Sequence, residues 1–249
     1  MKKTFKEWWE ETILLFRSIP GAVLTIFSLS VVVMNILANK TIVQLEYLNV
    51  DGGIVISWIS FLAMDVVTKH FGPKAATKMC VFALLINTAV SIIFFLIAKV
   101  PDPSGEFKEF DNVIGGTWFI LVSSSVAFIS SGIINNVLNW TVGKLFKKNP
   151  DGKLAFFCRS YLSTFIGQFS DNLIFAVLAF IVFGPLVAGW TSWTIIQCIT
   201  CSLLGAGLEL LMEVIFSPIG YFVSRKWKER HVGEEYLSLV NNYENTNNR

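Results

Sequence analysis

Read from its N-terminus, the chain alternates long apolar stretches with short polar ones. Six apolar stretches are long enough to matter, at about 21–38, 53–70, 78–98, 117–140, 162–184 and 193–223. Each offers the roughly 20 residues a helix needs to cross the hydrocarbon core of a bilayer. A transmembrane barrel would instead show alternating strands of about ten residues. Lipid also leaves free backbone N–H and C=O groups without partners, so the six spans are predicted to be helices. Ahead of them, MKKTFKEWWEETILLFRSIP mixes Trp8, Trp9, Leu14, Leu15 and Phe16 with charges. Acids interrupt it and no small-residue cleavage site follows, so it reads as an interfacial amphipathic helix ended by Pro20 and Gly21 rather than a cleaved signal. The predicted organisation is an interfacial helix over 1–20, a six-helix membrane domain over 21–225 and a polar tail over 226–249.

Composition agrees with the pattern. Of 249 residues 53% are hydrophobic and only 15% charged, against about 25% charged in ordinary soluble domains. The mean hydropathy of +0.59 is too apolar for a chain that must face water on all sides. A soluble enzyme is excluded, and the fold class is an all-α polytopic membrane protein. The net charge of +2 conceals a strong asymmetry: with both termini placed in the cytoplasm, 17 of the 20 Lys and Arg residues fall on the cytoplasmic side. Only Lys40, Lys99 and Lys108 fall outside, beside Glu46, Asp51, Asp102, Glu106, Glu109 and Asp111. That bias sets the orientation and accounts for the basic loops without nucleic acid.

Four acids lie within the spans, where a charge costs roughly 2.5–3.5 kcal/mol on insertion scales. Asp65 has Lys69 one turn later, at the spacing of a helical ion pair. Asp171 has Gln168 and Asn172 beside it, and Arg159 precedes it by about 18 Å of helix, too far for an intrahelical pair. Asp171 therefore faces a cavity or another helix. Glu209 and Glu213 share one helical face, where like charges repel unless a proton or a cation lies between them. Arg159, Lys69 or a cargo amine could supply the cation, while two protonated acids bonding between helices would be the structural alternative. Asn35 and Asn39 share a face of the first span, Asn87 lies in the third and Gln197 in the sixth. The serines of the fourth span are ordinary packing residues. Cys198 and Cys201 form a C-x-x-C inside an apolar helix with no second pair and no His nearby, which fits small packing residues. His70 and His231 lie in cytoplasmic segments, so no nucleophile–base pair is available for catalysis, and neither a metal nor a cofactor is expected.

At three places the sequence resembles the queuosine precursor transporter family, also called the vitamin uptake transporter family. The places are MNILANK at 34–40, AMDVVTKHFG at 63–72 and CRSYLSTFIGQFSDNLIF at 158–175. In the last, Arg159, Ser163, Thr164, Gly167, Gln168, Asp171 and Phe175 are in register with the family. Lys69 stands where the family usually carries an acid, and the segment 99–116 is longer than usual. The resemblance implies a fold related to the substrate-binding components of energy-coupling-factor transporters. It also implies an importer, in a bacterial inner membrane, of deazaguanine bases such as queuine or its cyano and aminomethyl precursors.

The residues are suited to that chemistry. One carboxylate can accept a guanine-like N–H and amino group as a bidentate, charge-assisted pair. Asn or Gln amides can donate to the carbonyl and ring-nitrogen edge, and an aromatic side chain can cover the ring. The candidate binding residues are Asn35, Asn39, Asp65, Arg159, Gln168, Asp171, Glu209 and Glu213. The partners expected are this small-molecule substrate and the lipid bilayer. Another vitamin or nucleobase as cargo, and an intramembrane enzyme, remain the alternatives at this stage. Coupling-factor substrate components dock through Ala-x-x-x-Ala on the first span, and no two alanines here are four apart, so no dedicated energy-coupling partner is indicated.

Overall fold

The computed structural model describes residues 4–145 and 163–247. Helix α1 (Phe5–Ser18) opens with Thr4, whose N–H donates to Glu7 Oε2 at 2.8 Å. It ends because Pro20 forces Ile19 out of the helical region, leaving Ile19 extended. Helix α2 (Gly21–Leu37) then departs at 99° to α1. Helices α3 (Ile54–Phe71) and α4 (Pro73–Ile97) are separated by Gly72, whose φ of 88° suits glycine. Pro73 starts α4 at the first helical position, where its missing N–H costs nothing. Helix α5 (Lys108–Leu145), helix α6 (Ser163–Ala176) with its π-helical continuation Val177–Ala188, helix α7 (Ile195–Glu229) and helix α8 (Glu234–Asn247) complete the chain.

Helices α2 to α7 occupy the six predicted positions. Four stretches are long and apolar enough to cross a membrane: Pro73–Ile97, Lys108–Ser131, Phe165–Ala188 and Ile195–Phe216. The bent pair α1–α2 adds a fifth if it is counted as one span, and α3 contributes a shorter apolar helix, Ile54–Thr68. The chain is an all-α polytopic membrane protein. Two local features differ from the sequence prediction. Helix α5 starts nine residues before the predicted span, because Glu109 and Asp111 in its first turn favour helix outside the apolar window. Residues between α2 and α3 form an antiparallel hairpin, β1 (Thr41–Gln44) with β2 (Asn49–Asp51), pairing Thr41 with Asp51, Val43 with Val50 and Gln44 with Asn49.

By its contacts the chain divides into two units. Unit 1 comprises residues 1–31, 58–86 and 213–249. Its core joins Leu15 of α1 and Ile19 just after it, Val67 and Phe71 of α3, Met79 of α4, Trp227 of α7 and Tyr236 of α8. Lys78 Nζ lies 3.0 Å from Glu11 Oε1 with both side chains largely buried, and His70 Nε2 lies 2.8 Å from the Val232 carbonyl. Helix α8, in the segment predicted as a polar tail, packs on α1 and buries Tyr236 completely. Unit 2 comprises residues 32–57 and 87–212 and carries the hairpin at one end.

Candidate functional site

Unit 2 is closed at the hairpin end by aromatic rings. Phe180 stacks on Trp193 at 4.0 Å and 14°, and Trp190 meets Phe119 edge-on at 5.2 Å. The π-helical stretch positions this group. Pro185 has no N–H to give the ladder, and the wider register lets the Phe180 and Gly184 carbonyls accept the N–H groups of Trp193 and Trp190, both at 3.2 Å. Gly184 is required here, since a Cβ on it would stand 2.7 Å from the Trp190 ring. The hairpin loop is tied to the same end: Gln197 Nε2 donates to the Leu45 carbonyl at 3.0 Å and the Thr200 hydroxyl to that of Tyr47.

Farther into unit 2, α5, α6 and α7 converge on a polar cluster. Gln168, Asp171 and Asn172 share one face of α6 because they are three and four residues apart. Ser131 Oγ on α5 donates to Asp171 Oδ1 at 2.8 Å. On α7, Cys201, Gly205 and Glu209 line one face at four-residue steps. Asn172 Nδ2 donates to Glu209 Oε2 at 3.4 Å, and Glu209 is only 6% exposed. Gly205 permits that approach, because a Cβ there would lie 2.8 Å from Asn172 Nδ2. Asp171 and Asp51 are both within Coulombic range of Glu209. Among the described residues no Lys or Arg pairs with Asp171 or Glu209, so the cluster holds two carboxyl groups without a cation in a setting of low dielectric, where electrostatic interactions are strong. Gln168 Oε1 is buried beside it without a hydrogen bond. No group of three or more His, Cys, Asp or Glu among the described residues is arranged to hold a metal ion.

Of the predicted binding residues, Gln168, Asp171 and Glu209 come together. Asn39 does not join them: its Nδ2 donates to Thr117 Oγ1 at 3.3 Å at the hairpin end. Thr117 and Ser131 are fourteen residues apart on α5, about 21 Å at 1.5 Å per residue. Asn35, one turn deeper than Asn39, is 2% exposed with Nδ2 unbonded. Asp65 and Glu213 belong to unit 1, and their side chains, with that of Lys69, lie outside the described ones. Arg159 and the neighbouring basic loop also lie outside the described residues. Phe119 of the aromatic group is likewise distant, preceding Ser131 by twelve residues, whereas Phe180 of that group meets Phe175 edge-on at 5.8 Å. The aromatic residue on the Asp171 face is Phe175, one turn on.

Sequence reasoning undervalued four residues. Ser131 was indistinguishable from the packing serines around it, and Gly205 from any small helix residue. Asn172 was visible only as a neighbour of Asp171. Asp51 passed for an exposed loop acid, yet its Oδ1 accepts the Gly53 N–H at 2.7 Å, starting α3, and burial pushes its carboxyl up to about 6. The two cysteines of the C-x-x-C are buried and free.

Residues 51–223 match the family described as "Putative vitamin uptake transporter". No curated protein and no solved structure matches the chain. The matched region covers well over half of the sequence, includes all three segments of the polar cluster and contains the four long apolar stretches described above. The chain belongs to the vitamin uptake transporter family.

Proposed function

We propose that this protein imports queuosine precursors, deazaguanine bases, across a bacterial cytoplasmic membrane. It does so through six spans, α2 to α7, with both termini in the cytoplasm. In this scheme residues 1–20 lie at the interface, 21–225 form the transport domain and 226–249 remain on the cytoplasmic side. The observation that carries the proposal is the cluster of Asp171, Gln168 and Glu209 within a membrane transporter of this family. Ser131 occupies one lone pair of Asp171 and orients its carboxylate. The remaining lone pairs are free to accept the adjacent N–H and amino donors of a guanine-like edge. Glu209, steadied by Asn172, is placed to receive an amine carried by the same cargo. Asn35 and Asn39 serve the route from the hairpin end. No catalytic step is involved.

The test is uptake of a labelled deazaguanine base by cells that can neither make nor import it, with and without this chain. Uptake is expected only with the chain present. Asp171→Asn replaces one acceptor by a donor facing the cargo's own donors, so it should lower uptake by tenfold or more at equal membrane abundance. That factor corresponds to loss of a charged hydrogen bond of about 1.5–3 kcal/mol. No uptake above the empty control would refute the cargo assignment, and wild-type uptake by Asp171→Asn would remove Asp171 from the site.

A further inference from the structure

Helix α4 carries two polar side chains that the cluster does not use. Asn87 and Ser91, one turn apart, are 1% and 2% exposed, whereas Ile92, Ile93 and Leu96 on other faces of the same helix are more than half exposed. Asn87 Nδ2 and Ser91 Oγ are unbonded, as is Asn35 Nδ2 on α2. Buried amides and hydroxyls are normally satisfied, and three left open within one unit are costly if their only task is packing.

Their depths form a sequence. At the hairpin end, Asn39, two residues past α2, reaches Thr117 of α5, and Ala98, the residue after α4, lies against α5 where a Cβ on Gly115 would stand 2.9 Å from its Cβ. From those contacts Asn35 lies about 6 Å inward, Ser91 about 10 Å, Asn87 about 16 Å and Ser131 about 21 Å, at 1.5 Å rise per residue. Ser131 is bonded to Asp171. Unbonded buried polar groups at Asn35, Ser91 and Asn87 thus stand at successive depths between the hairpin end and Ser131.

We propose that Asn35, Ser91 and Asn87 line a polar passage through unit 2 and form a waiting site for the base before it reaches Asp171 and Glu209. The proposal rests on the import function above for its cargo, and on the unbonded side chains for its course. Its chemistry complements the cluster. Two carboxamide NH2 groups and a hydroxyl address carbonyl and ring-nitrogen acceptors, while the carboxylates address N–H and amino donors. A flat heterocycle with one donor edge and one acceptor edge is the cargo class that both ends can hold.

The experiment uses the full-length protein in cells, with Cys80 and Cys158 replaced by serine, the buried Cys198 and Cys201 left in place, and this background serving as the reagent blank. Asn35→Cys, Ser91→Cys and Asn87→Cys are each treated from outside with a membrane-impermeant cationic thiol reagent. Ile93→Cys serves as the lipid-facing control. All three passage positions should be modified, the control should not, and excess deazaguanine base should slow modification at Ser91→Cys and Asn87→Cys. Asn87→Leu, which keeps volume and removes the open donor, should raise the uptake KM about tenfold while its Tm holds or rises. No modification at any of the three positions would overturn the passage. So would an unchanged KM with a lowered Tm in Asn87→Leu, since the amide would then be a packing group. Failure of the wild type to take up the base would overturn the cargo assignment alone, because reagent access reports the passage whatever it carries.

Discussion

Unit 1 and unit 2 differ in how completely their buried polar groups are paired. In unit 1 the partly buried charges of Glu11 and Lys78 meet at 3.0 Å, Lys78 also lies 5.6 Å from the Trp8 ring, and His70 is bonded to the Val232 carbonyl. In unit 2 polar atoms of Asn35, Asn39, Asn87, Ser91 and Gln168 are buried without partners, and among the described residues every such atom lies there. Paired polarity fixes helices to one another, because breaking either half exposes an uncompensated charge. Unpaired polarity does not improve folding, and each such group calls for a reason other than packing. The contrast distinguishes the two units without reference to which residues carry charge.

The strongest way to break this comparison is to disrupt the paired side. Glu11→Ala leaves the Lys78 ammonium largely buried without its carboxylate. Loss of one partner from a buried pair costs about 3 kcal/mol or more, so the Tm in detergent should fall by several degrees. Lys78→Met with Glu11→Gln, which removes both charges, should recover most of that loss. Uptake per folded molecule should be unchanged in both variants. A single variant as stable as wild type would show that the pair is solvated and structurally idle.

Glu209 sharpens the unpaired side. If it reads a cargo amine, Glu209→Gln should weaken binding of an aminomethyl precursor about tenfold or more, matching loss of a charged hydrogen bond of roughly 1.5–3 kcal/mol. The neutral cyano counterpart should be nearly unaffected, and titration calorimetry on the purified protein measures both. Equal losses for the two ligands would assign Glu209 to helix packing through Asn172 and leave the transport assignment in place.

The spans were legible because apolar runs of about 20 residues have few other uses, and Asp171 stood out because a lone acid in such a run needs a reason. The partners of Asp171 were not legible. Ser131 lies forty residues away on another helix, and nothing local distinguishes it from Ser123, which bonds only its own helix at Phe119. Asn87 and Ser91 were obscured for the converse reason: what marks them is a missing hydrogen bond, and a sequence does not record missing bonds. The hairpin escaped notice because four residues paired with three leave too short an alternation to register. Its position depends on Gln197 and Thr200, about 150 residues later.

Asp51 gives the smallest effect and tests whether burial in unit 2 carries an electrostatic cost. Its carboxyl is pushed from 3.8 up to about 6, chiefly by burial, with the Gly53 and Asp51 N–H groups acting in the opposite sense. The folded protein therefore holds this proton more tightly than the unfolded chain. The associated stability is fully present below about pH 4 and is lost as the pH rises through about 6. Asp51→Asn mimics the protonated form and keeps an oxygen to accept the Gly53 N–H. At pH 7.5 the variant should be more stable than wild type by roughly 1 kcal/mol, the partly accessible carboxyl being screened by solvent. Near pH 4 the two should melt together. Thermal unfolding at the two pH values measures the difference directly. An equal offset at both would mean that the carboxylate is not disfavoured in the fold, and that Asp51 serves only as the cap that begins α3.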